Sequence, residues 1–528
     1  MNTVLMTEGP RRPILPRLEV ALCVLTIAVG IVAATAFWLA RDSLWEDEII
    51  AITHGLQPLP SFFVEMLRND IHPFVYFLLL KGWAAVAPGS DRWALASSLL
   101  FALLSAACLY HVTARHFGQR AALWACALFC ILPNYAWAAG NLRMYSLLPG
   151  LAVLTWHLNM RQLSEASAGR GMIMLLVQML LGYIHAIEVL FLALIALTAL
   201  WMSVPKLTRA NCWSWLRWQA LACVLLLPLP LSALFRGTEP LSATTWGSTF
   251  AAPAQLVVGW SQSGDPGALA AGSLIFVLLL AAASVTPKGR RLAIGIPVVG
   301  LAAALLIGLL GKPLFKPPVF TANLMPFLVM AAGAGFSALP TLWLRGLAML
   351  SLSLLAVVSV PWSQSLIPQN NYEPAARHLV AHVRAGDVVL VPNVSVYWGM
   401  LRYAVGPQWG EPLTTLPPSN EAWTRLKQKL RPTWVERLRL DPRTDTVRHA
   451  DVDYIVGESA LAQRPFAGRV WVVQRARYQS LVQLSQPTTS SSVTWFGEEL
   501  SINLLETDAA GKMKHANPMP AKAAPKAP

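Results

Sequence analysis

A polytopic α-helical membrane protein with a small α/β extracytoplasmic C-terminal domain is the fold class this sequence predicts. Three observations predict it. Of 528 residues, 55% are hydrophobic and only 13% charged, against about 25% charged in ordinary soluble domains. The hydrophobic residues gather into runs near the ~20 residues that a bilayer core demands. After residue 361 those runs stop, and short strand-like segments begin. The composition excludes an ordinary soluble enzyme. It also excludes a mainly disordered chain, which needs low hydrophobicity and high charge.

The first span, 18–40, follows a basic leader, 1–17, that carries Arg11, Arg12 and Arg17. It is too long for a signal-peptide core and lacks a clear small-residue cleavage site, so it reads as a retained span. Further spans fall near 93–113, 120–139, 144–160, 171–185, 186–204, 213–234, 268–285, 292–311, 322–340 and 344–361, about eleven in all. Arg115, His116 and Arg120 share one gap, and Arg161 and Arg170 another. Lys206 and Arg209, then Lys288, Arg290 and Arg291, then Arg345 fill alternate later gaps. With an odd number of spans, all of these lie on the side of the N-terminus, and the positive-inside rule makes that side cytoplasmic. The expected location is the bacterial cytoplasmic membrane, with a cytoplasmic N-terminus and residues 362–528 in the periplasm.

The net charge of 41 − 27 = +14 is explained in large part by this topology, so no nucleic-acid partner is read from it. Twenty-one Trp suit aromatic belts at the membrane interfaces. The six cysteines lie in or beside apolar stretches and read as small packing residues, not as disulfides or a metal site.

The transmembrane unit, 18–361, includes a long first outer loop, 41–92. Within it, residues 73–88 are apolar but short, which suits an interfacial segment better than a span. In the C-terminal domain, 362–508, residues 373–384 read as an amphipathic helix. Residues 387–393, 452–458 and 469–475 read as strands, the first following a turn at Gly386. From 509 to 528 the chain is rich in Lys, Ala and Pro and reads as a disordered tail.

Most spans are nearly free of ionisable residues, whereas transporters place charged groups at mid-membrane depth. Here the polar chemistry gathers at the outer face. The densest cluster is Trp45-Glu46-Asp47-Glu48, just past the first span. Adjacent carboxylates at an apolar boundary repel one another, as catalytic pairs do, although a solvated loop has the same pattern. Asp70 and His72 precede Pro73 at the start of the interfacial segment, as a helix cap or as an ionic contact with phosphate. Arg143 and Tyr145 open the fourth span at its outer end; Arg143 suits a catalytic role or a headgroup anchor equally. His185 and Glu188 lie three apart at another outer end, where they could face each other across a helical turn. Arg92 precedes the second span and suits a topological anchor or a substrate contact.

These residues in this order resemble the GT-C superfamily of membrane glycosyltransferases, and more closely its family 39-type and RgtA/B/C/D-like branch. The similarity is strongest over about 40–160. SLWEDEIIAITHG carries an Asp-Glu pair after the first span. DIHPFVYFLLLKGWAAVAPGSDRWALASSLL resembles the family's Asp, His-Pro and Tyr segment, followed by an Arg and a small-residue helix. NLRMYSLL resembles its Arg-Met-Tyr-Ser helix start, and YIHAIEVLFL its Tyr-Thr-His-Tyr segment. The chain departs from the pattern at Phe74, where a second Pro is usual, and at Asn141, where a Glu is common. It also departs at Ala322 and Asn323, where relatives show an Arg-Tyr pair.

The resemblance implies a polyprenyl-phosphate sugar donor, an acceptor hydroxyl on a lipid, glycan or protein, and contact with membrane lipids. It implies a hexosyl- or pentosyltransferase with Asp47 as base and Glu48 orienting it or binding the acceptor. His72, Arg143 and either Lys312 or Lys316 would neutralise the departing phosphate. No cofactor or metal is assigned, and a divalent cation stays open. Two other classes share the topology. A lipid-linked glycan transporter would line a path through its spans with polar groups. A noncatalytic envelope scaffold would have no use for Asp47-Glu48 and His72-Pro73 in this order.

Overall fold

The structure is a computed structural model. It describes residues 17–41, 43–56, 59, 62, 74–87, 90–230, 246–258, 266–309, 317–341, 343–350, 353–354, 372–391, 394–405, 446–449, 452–456, 468–475, 493–496 and 500–507. The leader before Arg17 and the tail from 509 lie outside them.

Each stretch read as a span holds helix, in whole or in part. Among the described residues, six helices are long and apolar enough to cross a membrane. They are Arg17–Leu39, Asp91–Phe117, Glu188–Lys206, Arg209–Pro230, Pro287–Leu306 and Val319–Ala338. A further crossing is the pair Gln119–Ile131 and Pro133–Ala139, bent by 67°. Proline explains the bend. Pro133 pushes the preceding Leu132 out of the helical region, to φ −69° and ψ 138°, and then serves as the first residue of the next helix. Other expected spans are shorter, such as Leu148–Ser164 and Ala168–Gly182. At 1.5 Å per residue a 15-residue helix reaches only about 22 Å, short of a ~30 Å hydrocarbon core. Among the described residues a count of about eleven full crossings is therefore not confirmed. The segment expected to be interfacial is a helix of 10 residues, Val75–Ala84.

Val319–Ala338 is buried along its whole apolar window and forms the centre of the bundle. Its small residues permit this. A Cβ on Gly333 would stand 2.6 Å from the Ala121 carbonyl oxygen, and one on Gly335 would stand 1.7 Å from that of Ala282. Lipid gives helices no hydrophobic reason to associate, so close backbone packing and side-chain hydrogen bonds hold them. The second device joins Leu148–Ser164, Ala168–Gly182 and Arg209–Leu226. Asn159 Oδ1 accepts from Trp215 Nε1 at 2.7 Å and from Gln219 Nε2 at 2.9 Å, and Gln178 Nε2 donates to Gln219 Oε1 at 3.2 Å. The groups are neutral amides and an indole, which a residue-by-residue search for charge overlooks.

Two buried ion clusters mark opposite ends of the first helix, roughly 33 Å apart at 1.5 Å per residue. At one end Glu19 accepts from Arg120 Nε at 2.7 Å, Trp124 Nε1 at 2.7 Å and Arg345 Nη1 at 2.8 Å. Arg120 and Arg345, read from the sequence as topological charges, thus lie at the same end of the bundle as the start of the first helix. At the other end, Arg41 gathers the first loop.

The C-terminal domain is a six-stranded sheet in the order β2-β3-β1-β4-β6-β5. Its strands are β1 (Val388–Val391), β2 (Thr446–His449), β3 (Val452–Val456), β4 (Gly468–Arg475), β5 (Val493–Phe496) and β6 (Leu500–Thr507). The three strands expected from the sequence, β1, β3 and β4, make the parallel centre, and antiparallel strands flank it. Gly386 takes φ +87° in the turn before β1, a conformation that glycine adopts without steric cost. Helix Tyr372–His382 falls where the amphipathic pattern placed it. Helix Val394–Ala404 was not expected, and it meets the membrane unit through Tyr403 and Arg402. All six cysteines are free thiols; Cys23, Cys126 and Cys130 are buried as expected, whereas Cys223 is exposed.

Candidate active site

Arg41 follows the first helix directly, on the end away from the basic gaps. A lone cation there needs a local partner. Its Nη1 donates to Glu48 Oε1 at 2.8 Å and to the Gly140 carbonyl at 2.8 Å. Its Nη2 donates to Glu48 Oε2 at 2.5 Å and to the Ser43 carbonyl at 3.0 Å. Glu48 also accepts from the backbone N–H of Trp45 at 3.0 Å and of Leu142 at 2.7 Å. A carboxylate offers about four lone-pair sites, and here four donors occupy them. Glu48 is fully buried. It caps helix Glu46–Leu56 and binds the loop to the segment after Gly140.

Asp47 is different. Its side chain is 41% exposed, and its nearest cation is Arg143, with Nη2 3.7 Å from Oδ2. Arg143 Nη1 also donates to the Asp47 carbonyl at 3.1 Å. The arginine side chain is itself only 7% exposed. It extends from an extended residue before the short turn Met144–Ser146. Of two neighbouring carboxylates, one is spent on structure and one faces the solvent beside a buried guanidinium.

Below this turn lies a cavity lined by Phe129, Trp137, Tyr145, Ser146, Thr321 and Met325, among others. Tyr145 stacks on Trp137 with ring centres 5.5 Å apart, and the walls are mainly apolar. Tyr145 and Ser146, which line the cavity, follow Arg143 by two and three residues, so the guanidinium and part of the cavity wall come from one short segment.

His185 and Glu188 do not act as a facing pair within one helix. His185 precedes the helix and its Nδ1 accepts from the Ile187 N–H at 3.3 Å. Glu188, fully buried, accepts from Asn323 Nδ2 at 2.8 Å. Asn323 Nδ2 also donates to the Val319 carbonyl at 3.0 Å, so its amide is shared between Glu188 and its own helix. Arg92 is exposed; its carbonyl accepts from Trp38 Nε1 at 3.3 Å, and its guanidinium joins none of these groups. Asp70, His72, Lys312 and Lys316 lie outside the described residues. Among the described residues, no group of three or more His, Cys, Asp or Glu is gathered to hold a metal.

Sequence reading overlooked Arg41, Asp91, Arg402, Tyr403 and the pairing of Asn323. A local signal existed only for Arg41, a cation on the side where the positive-inside rule expects few. The others find their partners across more than 130 residues of chain.

The fold, a helical bundle with an α/β domain against the segment that precedes helix Glu46–Leu56, is similar to that of ArnT from Cupriavidus metallidurans. The apo form shares 12% sequence identity at a TM-score of 0.55, over 92% of this chain and 98% of that one. The same enzyme bound to undecaprenyl phosphate gives a TM-score of 0.54 over the same shares, also at 12% identity. The archaeal oligosaccharyltransferase AglB from Archaeoglobus fulgidus, in complex with an inhibitory peptide and a dolichol-phosphate, gives 0.45 at 10% identity, over 88% of this chain and 70% of that one. By sequence, no protein family and no curated protein matches.

Proposed function

We propose that this protein is a membrane glycosyltransferase that moves a hexosyl or pentosyl unit from a polyprenyl-phosphate donor to an acceptor hydroxyl. The acceptor belongs to a lipid, glycan or protein at the outer face of the bacterial cytoplasmic membrane. The observation that carries the reading is the solvent-facing Asp47 beside the buried Arg143, on the segment whose next residues, Tyr145 and Ser146, line an apolar cavity. The fold shared with an enzyme whose structure holds undecaprenyl phosphate supports the donor class.

The chemistry follows from the parts. The acceptor oxygen attacks the anomeric carbon as the bond to the lipid phosphate breaks. Positive charge grows on the sugar, which a nearby carboxylate favours. Asp47 takes the acceptor proton as general base. The leaving phosphate carries its own negative charge and needs a cation more than a proton, which Arg143 supplies. Because Arg143 also touches the Asp47 backbone, base and phosphate site share one side chain.

The test compares envelope glycans by mass spectrometry in cells with the gene deleted, restored, or restored as Asp47→Asn at equal protein level. Loss of one sugar on deletion, regained with the wild-type chain but not with the variant, is the expected result. Identical glycans in all three strains would overturn the reading.

A further inference from the structure

The C-terminal domain reaches the site loop through adjacent residues on helix Val394–Ala404. Tyr403 Oη accepts a hydrogen bond from the Leu44 N–H at 2.9 Å and donates one to Asp91 Oδ2 at 2.5 Å. Arg402 donates to the other Asp91 oxygen through Nε at 3.0 Å and through Nη2. The Arg402 and Asp91 side chains are only 4% and 16% exposed, so water competes little for them. Asp91 begins the membrane helix Asp91–Phe117. One carboxylate thus joins a membrane helix, the domain and, through Tyr403, the first loop.

Leu44 stands three residues before Asp47. The same domain helix brings Trp398 edge-on to His54, with ring centres 5.6 Å apart. His54 is in the last turn of Glu46–Leu56. The helix bearing Asp47 is therefore met by the domain near both of its ends. Burial, and then the Asp91 carboxylate, push the Tyr403 phenol up. It stays a donor toward Asp91 and keeps a lone pair for Leu44.

We propose that Tyr403 is a positioning residue, through which the C-terminal domain sets the backbone that carries Asp47. This rests on Asp47 being the general base. Glu48 and Arg41 secure the loop to the bundle from one side, and Tyr403 fixes it from the other. A reacting group displaced by about 1 Å loses roughly a hundredfold in rate, so a contact this close to the base acts on turnover. It has no reason to act on lipid binding.

The experiment uses the full chain in lipid nanodiscs, as wild type and as Tyr403→Phe, which removes both hydrogen bonds and keeps the ring. Amide hydrogen exchange is followed over residues 43–50, and affinity is measured for undecaprenyl phosphate alone. The rate of sugar addition is followed in the restored deletion strain. Expected are faster exchange at 43–50 and slower product formation, each by at least about tenfold, because one buried hydrogen bond is worth about tenfold and two are lost. Exchange within Val319–Ala338 and affinity for undecaprenyl phosphate stay as in the wild type. Unchanged exchange at 43–50, or faster exchange with normal product, overturns the proposal. If Tyr403→Phe also loosens β1 and β4, Asp91→Asn, outside the domain, replaces it and must give the same joint result. A wild-type chain that adds no sugar overturns the transferase reading itself and with it this proposal, and needs no variant to be seen.

Discussion

Arg41 and Glu48, seven residues apart, meet in two parallel charge-assisted hydrogen bonds of 2.8 and 2.5 Å, with the carboxylate fully buried. The pair closes the loop between the first two helices. Glu48 is thereby held by its partners, while the Asp47 side chain stays 41% exposed. Breaking a buried pair by removing one partner leaves an uncompensated charge, which typically costs about 3–5 kcal/mol. Arg41→Ala and Glu48→Ala should each lower the melting temperature of the purified protein sharply. A double variant, Arg41→Met with Glu48→Leu, should recover part of the loss. Independent, additive losses would reject the pairing.

Asp47→Asn should leave the melting temperature near that of the wild type, because the side chain is 41% exposed and only 3.7 Å at nearest from its cation. Sugar transfer should fall about 10²–10⁴-fold, the usual worth of a general base. Stability and activity thus separate the neighbours: position 48 moves the first and position 47 the second. Near-normal transfer by Asp47→Asn would exclude it as the base.

Glu188 and Asn323 form a buried acid–amide contact at 2.8 Å, and Glu188 Oε2 and Asn323 Oδ1 have no hydrogen-bond partner among the described residues. Glu188→Gln keeps an acceptor for Asn323 Nδ2 and adds a donor, so thermal stability should be retained or improved. Glu188→Ala leaves Asn323 Nδ2 with only the Val319 carbonyl at 3.0 Å and should cost about 1 kcal/mol. Equal melting temperatures for the Gln and Ala variants would show that the contact is not made.

Gly140 is required by close approach. A Cβ there would stand 2.2 Å from Phe37 Cδ1, and the Gly140 carbonyl is a ligand of Arg41. Gly140→Ala should destabilise by about 1–3 kcal/mol, as overpacking does. Phe37→Ala in the same chain should relieve part of the clash, which melting curves of the single and double variants will register.

The domain bearing Tyr403 meets the end of the first helix opposite Glu19, so a reporter fused near residue 400 should be active only in the periplasm. Activity in the cytoplasm would invert the sidedness and move the site to the inner face.

Helix positions in the membrane unit were legible because hydropathy is local: a run near 20 apolar residues identifies itself. The central strands β1, β3 and β4 were legible for the same reason, being short β-branched runs. The edge strands β2 and β5, and β6 between β4 and β5, were not picked out from the sequence. Asp47 and Arg143 were found through their positions at apolar boundaries and a resemblance in order, and the structure brings the two side chains together.

What the chain alone determined is therefore its hydrophobic segmentation, the face on which polar chemistry gathers, and the residues available there. Tertiary structure decided their assignments. It gave Glu48 to Arg41, set Asn323 against Glu188, and joined Tyr403 to Leu44 across 359 residues of sequence. Ion pairs and buried hydrogen bonds depend on distances of a few ångström between groups whose separation along the chain carries no signal. Burial then decides which carboxylate is consumed by its partners and which one stays open to a substrate.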